Sequence, residues 1–204
     1  YNSYNIPEKK RKYGDWADSV DTSGTIRLKG IVDDTFIDSL KTVVKTEYES
    51  KKFDAGNYIY AMKYIANFYA NRGHERQSID SLESAIRLCR QRNVEEIKFA
   101  QLYNAIGDIY STLLFNHEKG GEYHKQALEI YEKYGQLGTD YINTLSNLAS
   151  DFRSQNNLVL AKIFIDKALE QSEKTTLMNS ELGTYFNMLM DANGIYLLLG
   201  DEKK

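Results

Sequence analysis

Tyr103-Asn-Ala-Ile-Gly-Asp-Ile-Tyr-Ser-Thr-Leu-Leu114 spaces its apolar residues as a helix does, yet it sets Gly107 in the middle. Glycine inside a helix costs about 1 kcal/mol relative to alanine. A helix that keeps it there needs the absence of a side chain at that point. Tyr110 follows one turn later on the same face.

The same arrangement recurs along the chain. Tyr64-Ile-Ala-Asn-Phe-Tyr69, Asn147-Leu-Ala-Ser-Asp-Phe152 and Asp191-Ala-Asn-Gly-Ile-Tyr196 each place a small or short residue three positions before an aromatic. The pairs are Ala66 and Tyr69, Gly107 and Tyr110, Ala149 and Phe152, and Asn193 and Tyr196. A second signature follows the first three copies: Ala85, Ala127 and Ala168, each before an aliphatic residue. It lies 19, 20 and 19 residues beyond the small residue, so the middle copy carries one extra residue, most simply placed in a turn at Gly120-Gly121. Successive small residues stand 41, 42 and 44 apart.

Ordered copies at a fixed period mark a stack of supersecondary units. The pattern resembles the tetratricopeptide repeat family over about residues 57–200, with a period longer than the usual ~34, as in the longer-helix variants of that family. The slots of the family pattern fall on Ala66, Tyr69, Ser78 and Ala85, on Gly107, Tyr110, Gly120 and Ala127, and on Ala149, Phe152, Ala161 and Ala168. The resemblance implies an all-α right-handed superhelix, an α-solenoid of antiparallel helix pairs. Gly107 and its equivalents are then expected where the two helices of a pair cross most closely, with Tyr110 filling the space beyond the crossing.

The chain divides accordingly. Residues 1–32 are polar and aperiodic and read as an N-terminal arm; 33–52 reads as a leading helix, capped at Asp33-Asp34 and carrying Phe36, Ile37, Leu40, Val43 and Val44 at helical spacing. Residues 53–204 form the repeat domain, with helix pairs predicted at 57–71 and 75–92, 95–115 and 118–134, and 138–154 and 158–173. A further first helix is predicted at 178–199, apolar nearly all round, which reads as a truncated array or as a surface for a twin chain. With a single proline in the sequence, helix ends are expected to rely on Gly, Asn and Asp.

Composition narrows function. A net charge of −3 provides no electrostatic footprint for nucleic acid. No apolar run reaches the ~18 residues of a membrane span. Cys89 is the only cysteine, so no internal disulfide or multi-cysteine metal site forms, and burial as a small hydrophobe is expected. The chain opens on Tyr1, which leaves cytoplasm and periplasm both open. No phosphate loop, nucleophile elbow or His-Glu-x-x-His motif is present, so an enzyme is not expected, nor is a cofactor or a metal. His117 and His124 flank Gly120-Gly121, which is expected to break the helix between them and leave both solvated. Lys9-Lys-Arg-Lys12 resembles a short import signal, with a solvated tail as the plainer alternative.

Repeat arrays bind along the face of their first helices. Alignment of the copies places there Tyr60, Lys63, Asn67 and Asn71, then Gln101, Asn104, Asp108 and Ser111, then Asn143, Ser146, Ser150 and Arg153. Amides offer both donors and acceptors, which suits an extended peptide backbone; the alternative is a solvated helix face. Lys63 and Asn67 match the first two members of the carboxylate clamp of some family members, but Ala105, Asn143 and Asn147 occupy the remaining slots, which argues against that ligand. The expected partner is a protein or peptide in the groove, with a homodimer through the last helix as a second contact. The alternative to a scaffold is a sensor segment of a bacterial signal-transduction or transcription regulator, its output domain lying elsewhere.

Overall fold

The structure, a computed structural model, describes residues 34–175 and 182–200. The predicted arm, its Lys9–Lys12 cluster, Asp33 and the predicted start of the last helix lie outside the described residues.

Every regular element among the described residues is helical. Helix α1 spans Asp34–Glu49, α2 Ala55–Ala70, α3 Glu75–Gln91 and α4 Glu96–Asp108, the last continuing into a π turn at Ile109–Leu113. Then come α5 (His117–Lys133), α6 (Thr139–Ser154), α7 (Leu158–Lys174) and α8 (Leu182–Leu199). Ile37 and Leu40 of α1 are buried with Ala61, Tyr64 and Ile65 of α2, which docks the leading helix on the first pair. The pairs α2/α3, α4/α5 and α6/α7 pack in chain order, and α8 packs on α7 and α6. First helices α2, α4 and α6 also touch side by side, so their outer surfaces form one continuous face. Ala85, Ala127 and Ala168 are fully buried, because only a methyl fits where second helices pass their neighbours.

Several helix ends follow the expected chemistry, whereas α3 and α4 start at His74 and Glu95 without a side-chain cap. Asp54, Asn116 and Asn157 each accept a backbone N–H three residues on. The chain leaves its helices through left-handed residues at Gly73, Asn93, Gly135, Asn156 and Gly200. The outlier is Phe115, with φ 52° and 78% exposed. A bulky residue is strained in that region, and an exposed ring recovers little by packing. Phe115→Asn, the residue type at Asn156, is therefore expected to stabilise the protein by about 0.5–1 kcal/mol in chemical denaturation.

The extra residue of the second repeat is not at Gly120-Gly121, where α5 runs unbroken. The N–H of His74 donates to Tyr69 and that of Asn157 to Phe152, both five residues back, whereas that of Asn116 reaches Tyr110, six back. From those three capping residues onward the repeats are again in step, Ala85, Ala127 and Ala168 each following by eleven. The insertion is thus absorbed in the π turn, which by its i→i+5 bonding accommodates one residue more than an α turn.

Helices cross where the small residues predict. Ser78 Oγ donates to the carbonyl of Ala66 at 2.7 Å, and a Cβ on Gly120 would stand 3.1 Å from the carbonyl of Gly107. Beyond the crossing Tyr110 stacks on Tyr123 of α5, centroids 5.6 Å apart, and Phe152 stacks on Phe164 of α7 at 5.4 Å.

Candidate functional site

The first-helix face is built by side chains that α2, α4 and α6 turn the same way. Tyr60, Lys63 and Gln101 converge with Gly56, Ile59, Tyr64 and Lys98 around a half-open hollow of about 400 Å³. Lys63 Nζ donates to Gln101 Oε1 at 2.7 Å and so ties the first repeat to the second. Burial pushes its ammonium below the usual lysine range, opposed by the carboxylates of Asp140 and Asp108. Tyr60 lies with its ring centroid 4.4 Å from that of Tyr64. Asn67 sits one turn beyond Lys63, partly buried, and Asn71 is exposed at the end of α2.

Farther along, much of the predicted groove is used between repeats. Asn104 Nδ2 donates to Thr144 Oγ1 at 2.6 Å, and Asn147 Nδ2 to Asp108 Oδ1 at 2.8 Å. Arg153 pairs with Asp191 of α8 at 3.2 Å. Asn143, Ser146 and Ser150 are partly buried on α6. Ser111 does not belong to the open face: it is buried, and its hydroxyl donates to Asp151 Oδ1 at 2.5 Å.

That contact leads to a feature the sequence reading missed. His124, expected in solvent, is 1% exposed. Its Nδ1 lies 2.7 Å from Asp151 Oδ2 and its Nε2 3.2 Å from Asp108 Oδ1. A carboxylate at ordinary pH accepts only, so both ring nitrogens must carry a proton and the ring is an imidazolium. Burial alone would disfavour that charge; hydrogen bonds and charge from Asp108 and Asp151 outweigh it and raise the pKa to about 9. His117 Nδ1, on the same face of α5, stands 3.2 Å from Asp151 Oδ1. Helix α5 therefore continues through its glycines because they create the room for this cluster. A Cβ on Gly107 would meet His124 Nε2 at 2.4 Å, and one on Gly120 would fall on the Ser111 hydroxyl.

A signal for it was available in the repeat columns. Three residues before the conserved-spacing alanines stand Leu82, His124 and Ile165; two after the small residues stand Phe68, Ile109, Asp151 and Ile195. The second and third repeats have thus exchanged one apolar core residue each for a charged pair that meets across their junction.

Cys89 is fully buried, and burial pushes its thiol up to about 11. Among the described residues no group of three or more His, Cys, Asp or Glu side chains is placed to hold a metal, and no helix is long and apolar enough to cross a membrane.

Stacked antiparallel helix pairs with a polar first-helix face define a helical-repeat scaffold of the kind that binds other proteins. Residues 98–174 match the model of the tetratricopeptide repeat family. Among solved structures, the chain is similar to the crystal structure of BtubC (BKLC) from P. vanneervenii, with a TM-score of 0.66 and 18% sequence identity. The likeness covers 79% of this chain and 64% of that one, and at this identity it speaks for the fold alone. No curated protein matches the sequence.

Proposed function

We propose that the protein is a non-catalytic scaffold whose first-helix face receives an extended segment of a partner protein. The observation that carries this reading is the hollow between α2 and α4, whose lining brings together the Tyr60 and Tyr64 side chains and the lysines Lys63 and Lys98. An aromatic wall with a desolvated cation provides both apolar area and a point of polar recognition. Asn67, Asn143, Ser146 and Ser150 continue the polar row along which a peptide backbone would run. Tyr60 keeps 41% of its surface exposed, which leaves its ring available to a ligand. The repeats are already packed, so binding needs little rearrangement.

The test is selection of a displayed random-peptide library on the protein, repeated with the Tyr60→Ala/Lys63→Ala variant. Peptides enriched by the wild type should lose at least ~10-fold in binding to the variant, the effect of about 1.4 kcal/mol. Equal binding to both proteins would remove this face as the site. The sensor reading gains one specific point, the ionised joint between the second and third repeats, since a junction held by charges responds to its surroundings more than an apolar one.

A further inference from the structure

Five exposed apolar side chains gather at one edge of the array. Leu113, Leu114 and Phe115 lie in the turn between α4 and α5, and Val159 and Ile163 stand on the first two turns of α7. The two sites adjoin, since Gln155 Nε2 donates to the carbonyl of His117 at 2.9 Å. When the repeats are aligned on His74, Asn116 and Asn157, all five columns are polar or glycine in both other copies. Leu113, Leu114 and Phe115 stand where the first repeat has Asn71, Arg72 and Gly73 and the third has Ser154, Gln155 and Asn156. Val159 takes the column of Arg76 and Glu118, and Ile163 that of Asp80 and Glu122. Single exposed apolar residues are ordinary, whereas a contiguous group of them marks a contact surface. Phe115 keeps its ring in solvent at a strained φ where the other copies have Gly73 and Asn156, so packing within the chain does not account for it.

We propose that this edge seats on the surface of a phospholipid bilayer, a contact separate from the first-helix face. Three consecutive residues in a turn cannot share one helix face, so they make a knob and not a stripe or a groove. A protein would need a matching cup, whereas acyl chains close around a knob of any shape. The depth is right. Ile163 lies five residues beyond the start of α7 at Leu158, about 8 Å along the axis, within the ~5–10 Å that interfacial elements sink. Cations stand behind the tip on aromatic rings: Arg72 over Phe68 at 4.0 Å, Lys119 over Tyr110 at 5.3 Å and Lys125 over Phe152 at 5.0 Å. Apolar contact along the stem with a charged head beyond it is how such side chains sit at headgroup level, where lipid phosphates are their counterions. Glu118 and Glu122 on the same helix offset part of that charge. Apolar insertion therefore contributes more than net attraction, and the binding should depend little on salt.

The wild type should co-sediment with vesicles of phosphatidylcholine and phosphatidylglycerol. Phe115→Asn should weaken that binding ~10-fold or more, the effect of withdrawing one inserted ring. Because this change is expected to stabilise the fold, its loss of binding cannot come from unfolding. Leu114→Ser/Ile163→Ser should weaken binding by a similar factor with unchanged helical circular dichroism, and Tyr60→Ala/Lys63→Ala should bind vesicles as the wild type does. A wild type that stays in solution beside these vesicles overturns the inference and leaves the knob to a protein partner. So does binding that neither apolar variant changes but salt abolishes, which would move the lipid contact to charged residues such as the Lys9–Lys12 cluster.

Discussion

Replacing His124 by leucine is expected to cost about 3–5 kcal/mol of unfolding free energy, the range for removing one partner of a buried ion pair. The substitution adds apolar volume and still destabilises, because Asp151, 2% exposed, keeps only Ser111 and His117. Installing the apolar residue types of the other repeats should reverse the loss. The triple variant His124→Leu/Asp151→Ile/Ser111→Ala reproduces Leu82, Ile195 and Ala70 at the corresponding slots. Charged clusters exchanged for packed apolar groups are often neutral or stabilising, so the triple should return to within about 1–2 kcal/mol of the wild type or exceed it. Urea denaturation of the three proteins checks this; a single variant as stable as the wild type would mean that the ion pair contributes nothing. The pH dependence provides a second reading. The pKa of His124 is raised in the fold from an ordinary 6.5 to about 9, so its contribution is fully present below pH 6.5 and lost as pH rises through about 9. That slope, worth on the order of 3 kcal/mol in all, should be absent from His124→Leu.

Gly107→Ala carries the second large effect, and its sign depends on the residue opposite. By helix propensity alone the change should stabilise by about 1 kcal/mol. The new methyl would, however, lie 2.4 Å from a ring held at both nitrogens, by Asp151 and by Asp108. Moving the ring breaks one of those bonds, so a net loss of about 1–3 kcal/mol is expected, as for overpacking elsewhere in protein cores. In the triple variant the same Gly107→Ala should become stabilising, because Ala66 with Leu82 and Ala149 with Ile165 show that alanine and an aliphatic residue fit these slots together. A thermodynamic cycle built on thermal melts measures the coupling. The same sign in both backgrounds would mean that His124 is not the reason for the glycine.

The helices that carry the first-helix face were readable in the sequence because the repeats locate them. Tyr60, Lys63 and Gln101 do come together, by way of two adjacent first helices. What alignment could not supply was how the polar groups pair. Asn104, Asp108 and Arg153 have the composition of a groove, yet each is engaged with a residue one repeat away, Thr144, Asn147 or Asp191. Ser111 matched the pattern of an open helix face and is buried, because the π turn and the Gly120 gap bring it over Asp151.

The sequence by itself determined the elements and their order. Small residue, aromatic and alanine recur at near-constant spacing, and such spacing is a local property that periodicity records. The expectation that Gly, Asn and Asp end the helices is likewise local, and the structure fills it at Asp54, Asn116 and Asn157 within a single turn of chain. Only the tertiary structure decided why Gly107 is a glycine, where the extra residue of the second repeat lies, and that His124 is a buried cation. Each of these depends on groups from separate helices meeting in a space too small for both a side chain and its neighbour. Asp151 lies 27 residues from His124 along the chain, and the two become partners only when the third repeat stacks on the second.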